Sequence, residues 1–197
     1  MNNSINNTYY LDACATSQPL DTVTEEISRV NRDYWGNSSS IHYHGFRSAK
    51  IIEQSRDYIS HRLKLNYNQI IFTSGATHSN NLAISELSHN FPIGKIIVSS
   101  IEHPSIYASL PVSKNSSSTI EYWKVDSRGV IDLSLIDYYL TSETKFVSLI
   151  WGQSEIGSIQ PIKHISKICE ERNICLHIDA TQVFSQGYVE LNELYFD

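Results

Sequence analysis

The spacing of the hydrophobic residues predicts two helices in the first part of the chain. Near the N-terminus the apolar positions recur at steps of three and four, so they share one face of an amphipathic helix that Pro19 suits at its start. These positions are Leu20, Val23, Ile27, Val30 and Tyr34. The Gly-, Asn- and Ser-containing residues 35–41 are typical of a loop. A second amphipathic helix is predicted from the apolar positions Phe46, Ala49, Ile52, Ile59 and Leu63.

Beyond these helices, short apolar runs alternate with helical patterns. The predicted strands are residues 69–73, 95–99, 120–125, 145–151 and 174–179. The predicted helices are residues 77–88, 133–140 and 162–172. Such alternation predicts an α/β fold with three α/β/α layers, in which helices cover both faces of a mostly parallel sheet. Residues 114–119 are expected to form a polar surface loop. The apolar residues within 183–197 suggest a sheet that is incomplete at its C-terminus.

Composition narrows the class of protein. Hydrophobic residues make up 41% of the 197 positions and charged residues 18%, which is an ordinary globular balance. The net charge of −6 and the lack of a basic stripe argue against nucleic-acid binding. Three cysteines, an odd number without close pairing, favour a reducing, cytoplasmic location over a disulfide framework.

Membrane and targeting segments are not expected, since no apolar run approaches the roughly 20 residues that a membrane span needs. Residues 1–8 lack the pattern of a signal peptide and are predicted to be a flexible tail. Residues 9–197 are expected to form one partial domain, the incomplete large domain of the predicted fold.

Candidate site residues follow the predicted strands, because open α/β sheets bind ligands beyond the carboxyl ends of their strands. The turn of residues 73–77 contains Gly75 and precedes a helix, so Thr77 and the first helical N–H groups are placed to bind a phosphate. The alternative is that Ser74 only caps the helix, and spacing alone favours that alternative.

Two further candidates lie after later strands. His103 follows residues 95–99 and suits ring stacking or proton transfer, although a plain loop histidine fixed by Pro104 is the simpler interpretation. Asp179 ends the last predicted strand and suits the protonated nitrogen of a pyridine ring, with Gln182 near a ring oxygen. A helix-capping role for Asp179 is about equally supported by the spacing.

The pair His42 and His44 has the look of a metal site, but no third ligand with suitable spacing lies nearby. The segment is interpreted as an ordinary loop, and no metal is expected.

The order of the motifs resembles one family. The segments are YLDACATS at 10–17, GNSSSIH at 36–42, IFTSGAT at 71–77, NNLAI at 80–84, EHP at 102–104, EIGSIQPI at 155–162 and HIDATQ at 177–182. Together, from about residue 9 onward, they resemble the cysteine desulfurases, which are class V aminotransferase-like, fold-type I enzymes that use pyridoxal phosphate. The resemblance implies the large domain of such transferases.

The resemblance also implies roles for individual residues. Ala76 and Thr77 would contact the cofactor phosphate, and His103 would stack on the ring and assist proton transfer. Asp179 would pair with the ring nitrogen and Gln182 with the phenolic oxygen. Ser154 stands where the family has an asparagine that faces cofactor and substrate, so its contribution is expected to be weak.

Several family features do not occur in the 197 residues. The family's Schiff-base lysine lies in a Ser/Thr-x-His-Lys segment a couple of dozen residues after the position of Asp179, and the sequence contains no such segment. The persulfide-forming cysteine and a carboxylate-binding arginine also have no counterpart. In addition, Ala13 and His78 replace the family's usual Asn and Glu.

The family reaction takes sulfur from L-cysteine, leaving L-alanine and an enzyme persulfide that supplies iron–sulfur clusters or thiolated nucleotides. We therefore expect a truncated desulfurase-like chain that does not catalyse this reaction alone, either a gene remnant or one half of a split enzyme. The alternative is a non-catalytic interaction module, as a homodimer or paired with an intact desulfurase.

Overall fold

The computed structural model describes residues 9–111, 117–184 and 194–196. The chain divides into two compact units, Met1–Ile70 and Ile71–Asp197. The tail predicted for residues 1–8 lies outside the described residues.

The first unit contains the two helices that the hydrophobic spacing predicts. They are α1 (Asp21–Asp33) and α2 (Tyr43–Leu63), and a 3-10 turn follows at Tyr67–Gln69. Nδ1 of His42 accepts a hydrogen bond from the N–H of Gly45 at 3.3 Å, which caps the start of α2. Lys64 ends α2 in the left-handed conformation.

The strand predicted for residues 69–73 is wrong. Gln69 ends the 3-10 turn, and residues 70–73 belong to no helix or strand. Ile71 and Phe72 are exposed, at 68% and 47%. A β-rich run becomes a strand only where a neighbouring strand takes its hydrogen bonds, and the described four-stranded sheet does not include this run.

The second unit contains a four-stranded sheet in the order β2-β1-β3-β4. The strands are β1 (Ile93–Ser99), β2 (Ser117–Trp123), β3 (Thr144–Ile150) and β4 (Cys175–Asp179). All three neighbouring pairs are parallel, which confirms the predicted fold class. Strand β2, predicted for residues 120–125, begins earlier than predicted, because Ser118 and Thr119 pair with Gly94 and Lys95 of β1.

The expected polar loop at 114–119 is therefore wrong for residues 117–119, where pairing with β1 outweighs polar composition. Residues 114–116 lie outside the described residues.

Helices cover both faces of the sheet. They are α3 (Ala76–Asn90), α4 (Pro104–Ser109), α5 (Ile136–Tyr139), α6 (Ile162–Arg172) and α7 (Thr181–Phe184). On one face, Ile84 of α3 and Ile106 of α4 pack with Ile96, Val98 and Phe146. The other core, which α6 lines, contains Ile97, Val147, Leu149, Ile165 and Leu176. The residues of each strand alternate between the two cores, so the described part has the predicted three layers.

The apolar residues of the segment 183–197 predict an unfinished sheet. Most of this segment lies outside the described residues. Among the helices that are described, none combines the length and the apolar character that a membrane span requires.

Candidate functional site

The candidate site lies at the carboxyl ends of β1, β3 and β4, which are neighbours in the sheet. His103 follows β1, Ser154 follows β3 and Asp179 ends β4. Helix α3 packs on one face of the sheet. Its residue Asn80 reaches the edge where β4 ends, and the side-chain amide of Asn80 donates a hydrogen bond to Asp179 there. The sheet order, rather than the sequence order, therefore places these side chains at one edge.

A continuous hydrogen-bond network joins His103 to Asp179. The side-chain amide of Asn80 donates one hydrogen to Oδ2 of Asp179 at 2.8 Å and the other to Oγ of Ser105 at 3.1 Å. Oγ of Ser105 lies 2.8 Å from Nδ1 of His103. Asn80 and Ser105 are buried, at 4% and 7% exposed, so both hydrogen bonds are shielded from water.

His103 is more than a loop histidine, because it is the N-cap residue of α4. Its Nδ1 accepts a hydrogen bond from the backbone N–H of Ser105 at 3.1 Å. A neutral ring whose Nδ1 accepts this bond carries its proton on Nε2. The network therefore fixes both the ring's orientation and its tautomer.

The two carboxylate oxygens of Asp179 have different partners. Oδ1 accepts from the N–H of Thr181 at 3.0 Å and from its hydroxyl at 2.6 Å, while Oδ2 accepts from Asn80. The capping role that the sequence allowed is thus present alongside the Asn80 contact. Burial raises the pKa of Asp179, but the hydrogen bonds from Thr181 and Asn80 and the nearby His177 outweigh it, so the pKa is lowered overall.

His177 lies on the same sheet face as Asp179, two residues earlier in β4. Its Nδ1 lies 2.9 Å from Oγ of Ser148, its register partner on β3. Burial lowers the pKa of His177 to about 4, and the charge on Asp179 only partly offsets this effect. His177 is therefore neutral at physiological pH, and its positive charge acts on Asp179 only in acid.

The turn before α3 leaves open space at the helix N-terminus. Gly75 has a φ of +147°, and a Cβ at this position would meet no atom within 4 Å. Oγ1 of Thr73 holds the turn by accepting from the N–H of Gly75 at 3.4 Å and by its contact with Oγ of Ser79 at 2.8 Å. Gly75, rather than Ser74, is the N-cap residue of α3.

Ala76 and Thr77 occupy the first turn of α3, and both are exposed. Thr77 precedes Asn80 by one helical turn, so the two side chains lie on the same face of α3. Because Asn80 bonds to Asp179, this face connects the open turn with the end of β4. His78 faces back to the turn, with Nδ1 at 3.1 Å from Oγ of Ser74.

The other two candidates, Gln182 and Ser154, lie in the segments that directly follow β4 and β3. Gln182 is half-buried in α7, directly after Thr181. Ser154 is half-buried in the loop after β3, and the hydrogen bonds that join His103 to Asp179 do not include it. The N–H of Trp151, at the start of this loop, donates to the carbonyl oxygen of Asp179 at 2.9 Å.

Sequence reasoning did not single out Asn80, Ser105 or Glu102 as site residues. All three are buried polar residues. Asn80 shares a helical face with the buried Ile84 at a spacing of four residues, and a polar residue on an apolar face was the available signal. The contacts of Asn80 with Ser105 and Asp179, and of Glu102 with Ile150, join residues far apart in the sequence, so the signal did not identify these partners.

The histidines His42 and His44 have other partners. His42 caps α2, and the ring of His44 stacks on Trp35 with centroids 4.8 Å apart. Among the residues that the structure describes, no three His, Cys, Asp or Glu side chains are grouped to hold a metal ion.

Comparison with known proteins agrees with this geometry. The family model described as aminotransferase class-V matches residues 9–197. The chain belongs to the aminotransferase class-V family. One curated relative of this class V chain, cysteine desulfurase IscS 1 of Archaeoglobus fulgidus, is 37% identical over 190 residues, covering 95% of the chain and 50% of the relative. The mitosomal cysteine desulfurase of Trachipleistophora hominis is 32% identical, with 95% and 44% covered.

Solved structures give the same result for the class V fold. A NifS-like protein superposes with a TM-score of 0.83 at 30% identity, covering 88% of the chain and 49% of the other protein. SspA, solved in complex with cysteine, also gives a TM-score of 0.83, at 28% identity with 90% and 52% covered. The chain therefore spans about half the length of the relatives it matches.

Proposed function

We propose that this chain forms the ring- and phosphate-binding part of a pyridoxal-phosphate site for removal of sulfur from L-cysteine, as in the cysteine desulfurases it resembles. The hydrogen-bond network from His103 to Asp179 carries the proposal. It holds an aromatic base and a buried carboxylate at one sheet edge, beside an open helix N-terminus. When bound, pyridoxal phosphate supplies an electron-withdrawing ring to an amino acid substrate.

Asp179 fits the nitrogen end of such a ring. Its carboxylate stays ionised because Thr181 and Asn80 donate to it, and it is only 6% exposed. A buried anion at this place stabilises a protonated ring nitrogen and disfavours its neutral form. Oδ1 already accepts two hydrogen bonds and Oδ2 accepts one, so Oδ2 retains acceptor capacity, since a carboxylate has about four lone-pair sites.

The turn of residues 73–77 fits the phosphate end. Gly75, Ala76 and Thr77, at the start of α3, are exposed residues, and the space beside Gly75 is open. Ala76 would contribute its backbone N–H. Anions are stabilised at such helix N-termini by unpaired N–H groups and by the helix dipole.

His103, Gln182 and Ser154 complete the proposal. With Nδ1 of His103 held by Ser105, Nε2 is the atom that carries the proton and exchanges it with a bound ligand. Gln182 would donate to the ring's phenolic oxygen, and Ser154 would contribute weakly. We also propose a cytoplasmic location for this chain. One relative, by contrast, is mitosomal.

The chemical step needs a group that the 197 residues do not supply. They contain no Ser/Thr-x-His-Lys segment, so the chain by itself offers no lysine at the family position to hold the cofactor covalently. We propose that the chain alone binds pyridoxal phosphate reversibly. Desulfuration would also require a segment that corresponds to the remaining half of the relatives.

Reversible binding is tested by equilibrium dialysis of the purified chain with pyridoxal phosphate. Asp179→Asn keeps the side-chain volume but removes the charge, and we expect at least about a tenfold weaker affinity. Asp57→Asn, at an exposed position of α2, is the matched control and should bind like the wild type. Equal affinities of Asp179→Asn and the wild type would contradict the proposed ring contact.

The requirement for a second segment is tested by mixing the chain with the C-terminal half of a curated desulfurase relative. We expect L-alanine to form from L-cysteine only in the mixture, and borohydride to trap cofactor only on the added half. Cofactor trapped on a lysine of this chain would overturn the proposal.

A further inference from the structure

Glu102 closes a gap at the end of the sheet that the backbone leaves open. The parallel pairing of β1 with β3 ends at Val98 and Ser148, so the N–H of Ile150 lies beyond the last paired residues of the two strands. Oε1 of Glu102 accepts this N–H at 2.6 Å. The side chain thus continues the hydrogen bonding between β1 and β3 beyond the last backbone pair.

The same residue fixes the segment that leads to His103. Oε1 of Glu102 also accepts a short hydrogen bond from the hydroxyl of Ser99. The backbone N–H of Glu102 donates to Oη of Tyr107 at 2.9 Å, and this hydroxyl donates to the carbonyl oxygen of Ser99 at 3.1 Å. Residues 99–102 therefore form a closed turn that is joined to the end of β3 and presents His103 directly after it.

The second oxygen of Glu102 shows which charge state the site accommodates. Oε2 is buried and has no hydrogen-bond partner among the described residues. The side chain is 6% exposed. An ionised carboxylate with one unpartnered buried oxygen is costly, whereas a neutral acid leaves Oε1 free to accept both hydrogen bonds.

The ionisable neighbours of Glu102 favour the neutral form as well. In the described part of the chain, the groups that act on it are Asp179 at the end of β4 and Tyr107 on α4. Burial raises the pKa of Glu102 to about 8, the hydrogen bonds from Ser99 and Ile150 oppose this shift, and the charge on Asp179 adds to it. Burial also raises the pKa of Tyr107, so its phenol stays neutral and keeps donating to Ser99.

We propose that Glu102 is a positioning residue that acts as a neutral acid, joining the ends of β1 and β3 and thereby setting the position of His103. Ionisation places a second negative charge beside Asp179 in a space closed to water, so it opens the turn of residues 99–102 toward solvent. This proposal rests on the proposed function only for the role of His103 at a bound cofactor ring. Its test needs no cofactor.

The test is nuclear magnetic resonance of the 197-residue chain across about pH 6 to pH 10, following the backbone amides of Ile150 and of Ile101, which lies in the turn of residues 99–102. In the wild type we expect both sets of signals to change together in one transition with its midpoint near pH 8. Glu102→Gln retains an acceptor at Oε1 and cannot ionise, so it should show the low-pH signals throughout. Glu170→Gln, at an exposed position of α6, should behave like the wild type.

Glu102→Ala removes the acceptor, so hydrogen exchange of the Ile150 amide should become at least about tenfold faster. A transition that persists in Glu102→Gln, or unchanged exchange in Glu102→Ala, would overturn the proposal. If Glu102→Ala does not fold, the comparison of Glu102→Gln with the wild type decides the matter. Neither measurement depends on pyridoxal phosphate, so failure here is distinguishable from failure of the proposed function.

Discussion

The amide nitrogen of Asn80 lies 2.8 Å from Oδ2 of Asp179, although the two residues are 99 positions apart in the sequence. The contact joins α3 to the end of β4 through a buried, charge-assisted hydrogen bond. It aligns the turn before α3 with the carboxylate at the sheet edge. This arrangement makes one site out of segments that are separately unremarkable in the sequence.

Replacing Asn80 with alanine removes the donors to Asp179 and Ser105. We expect the free energy of unfolding to fall by about 1–3 kcal/mol, because buried acceptors lose their partner. Urea denaturation measures the loss. Asn90→Ala, at an exposed position at the end of the same helix, should stay within about 0.5 kcal/mol of the wild type. Equal effects of the two substitutions would contradict the importance of the network.

Asp179 is expected to make the chain sensitive to acid. Its pKa in the folded chain lies below the ordinary value of 3.8, so its contribution to stability is present above that pH and is lost as the pH falls through the folded pKa. Thermal unfolding between about pH 5 and pH 2 should show a steeper loss for the wild type than for Asp179→Asn. Parallel curves for the two proteins would show that Asp179 does not contribute in this way.

His177 predicts a second pH dependence, at higher pH. The folded pKa of about 4 lies below the ordinary 6.5, so the neutral ring favours the folded state above pH 6.5 and this stability is lost as the pH falls toward 4. At about 1.4 kcal/mol per pKa unit, the loss reaches about 3 kcal/mol.

Chemical denaturation at a series of pH values tests the role of His177. His177→Asn should flatten the decline between pH 6.5 and 4, while His89→Asn, at an exposed position of α3, should retain it. A proton resonance of the His177 ring that titrates near 6.5 would refute the expectation.

Trp123 is expected to be a principal residue of the core that α6 lines. Its ring is fully buried, stacks on Tyr139 with centroids 5.1 Å apart, and donates from Nε1 to the carbonyl oxygen of Asp132 at 3.2 Å. Trp123→Ala should lower the free energy of unfolding by about 3–5 kcal/mol, because it leaves a large cavity. Trp35→Ala, where the side chain is 68% exposed, is the matched control and should have a much smaller effect.

Hydrophobic periodicity was sufficient to predict a helix or strand where the segment's own residues decide its structure. The helix predicted for residues 162–172 has those bounds in the structure, because its apolar positions face a core that buries Ile162, Ile165 and Cys169. The strand predicted for residues 95–99 lies within β1, which begins two residues earlier at Ile93 and is buried over its last four residues. Motif order also led to the aminotransferase class-V family that the family model confirms.

The sequence by itself therefore determined the layered α/β fold and the family, because local hydrophobic spacing and motif order depend on nearby residues. Only the tertiary structure decided that residues 69–73 form no strand, and that Asn80, Ser105 and Glu102 connect His103 to the sheet edge and to Asp179. These outcomes depend on which strands become neighbours and which buried polar groups meet. Such long-range pairings leave no periodic trace in the chain.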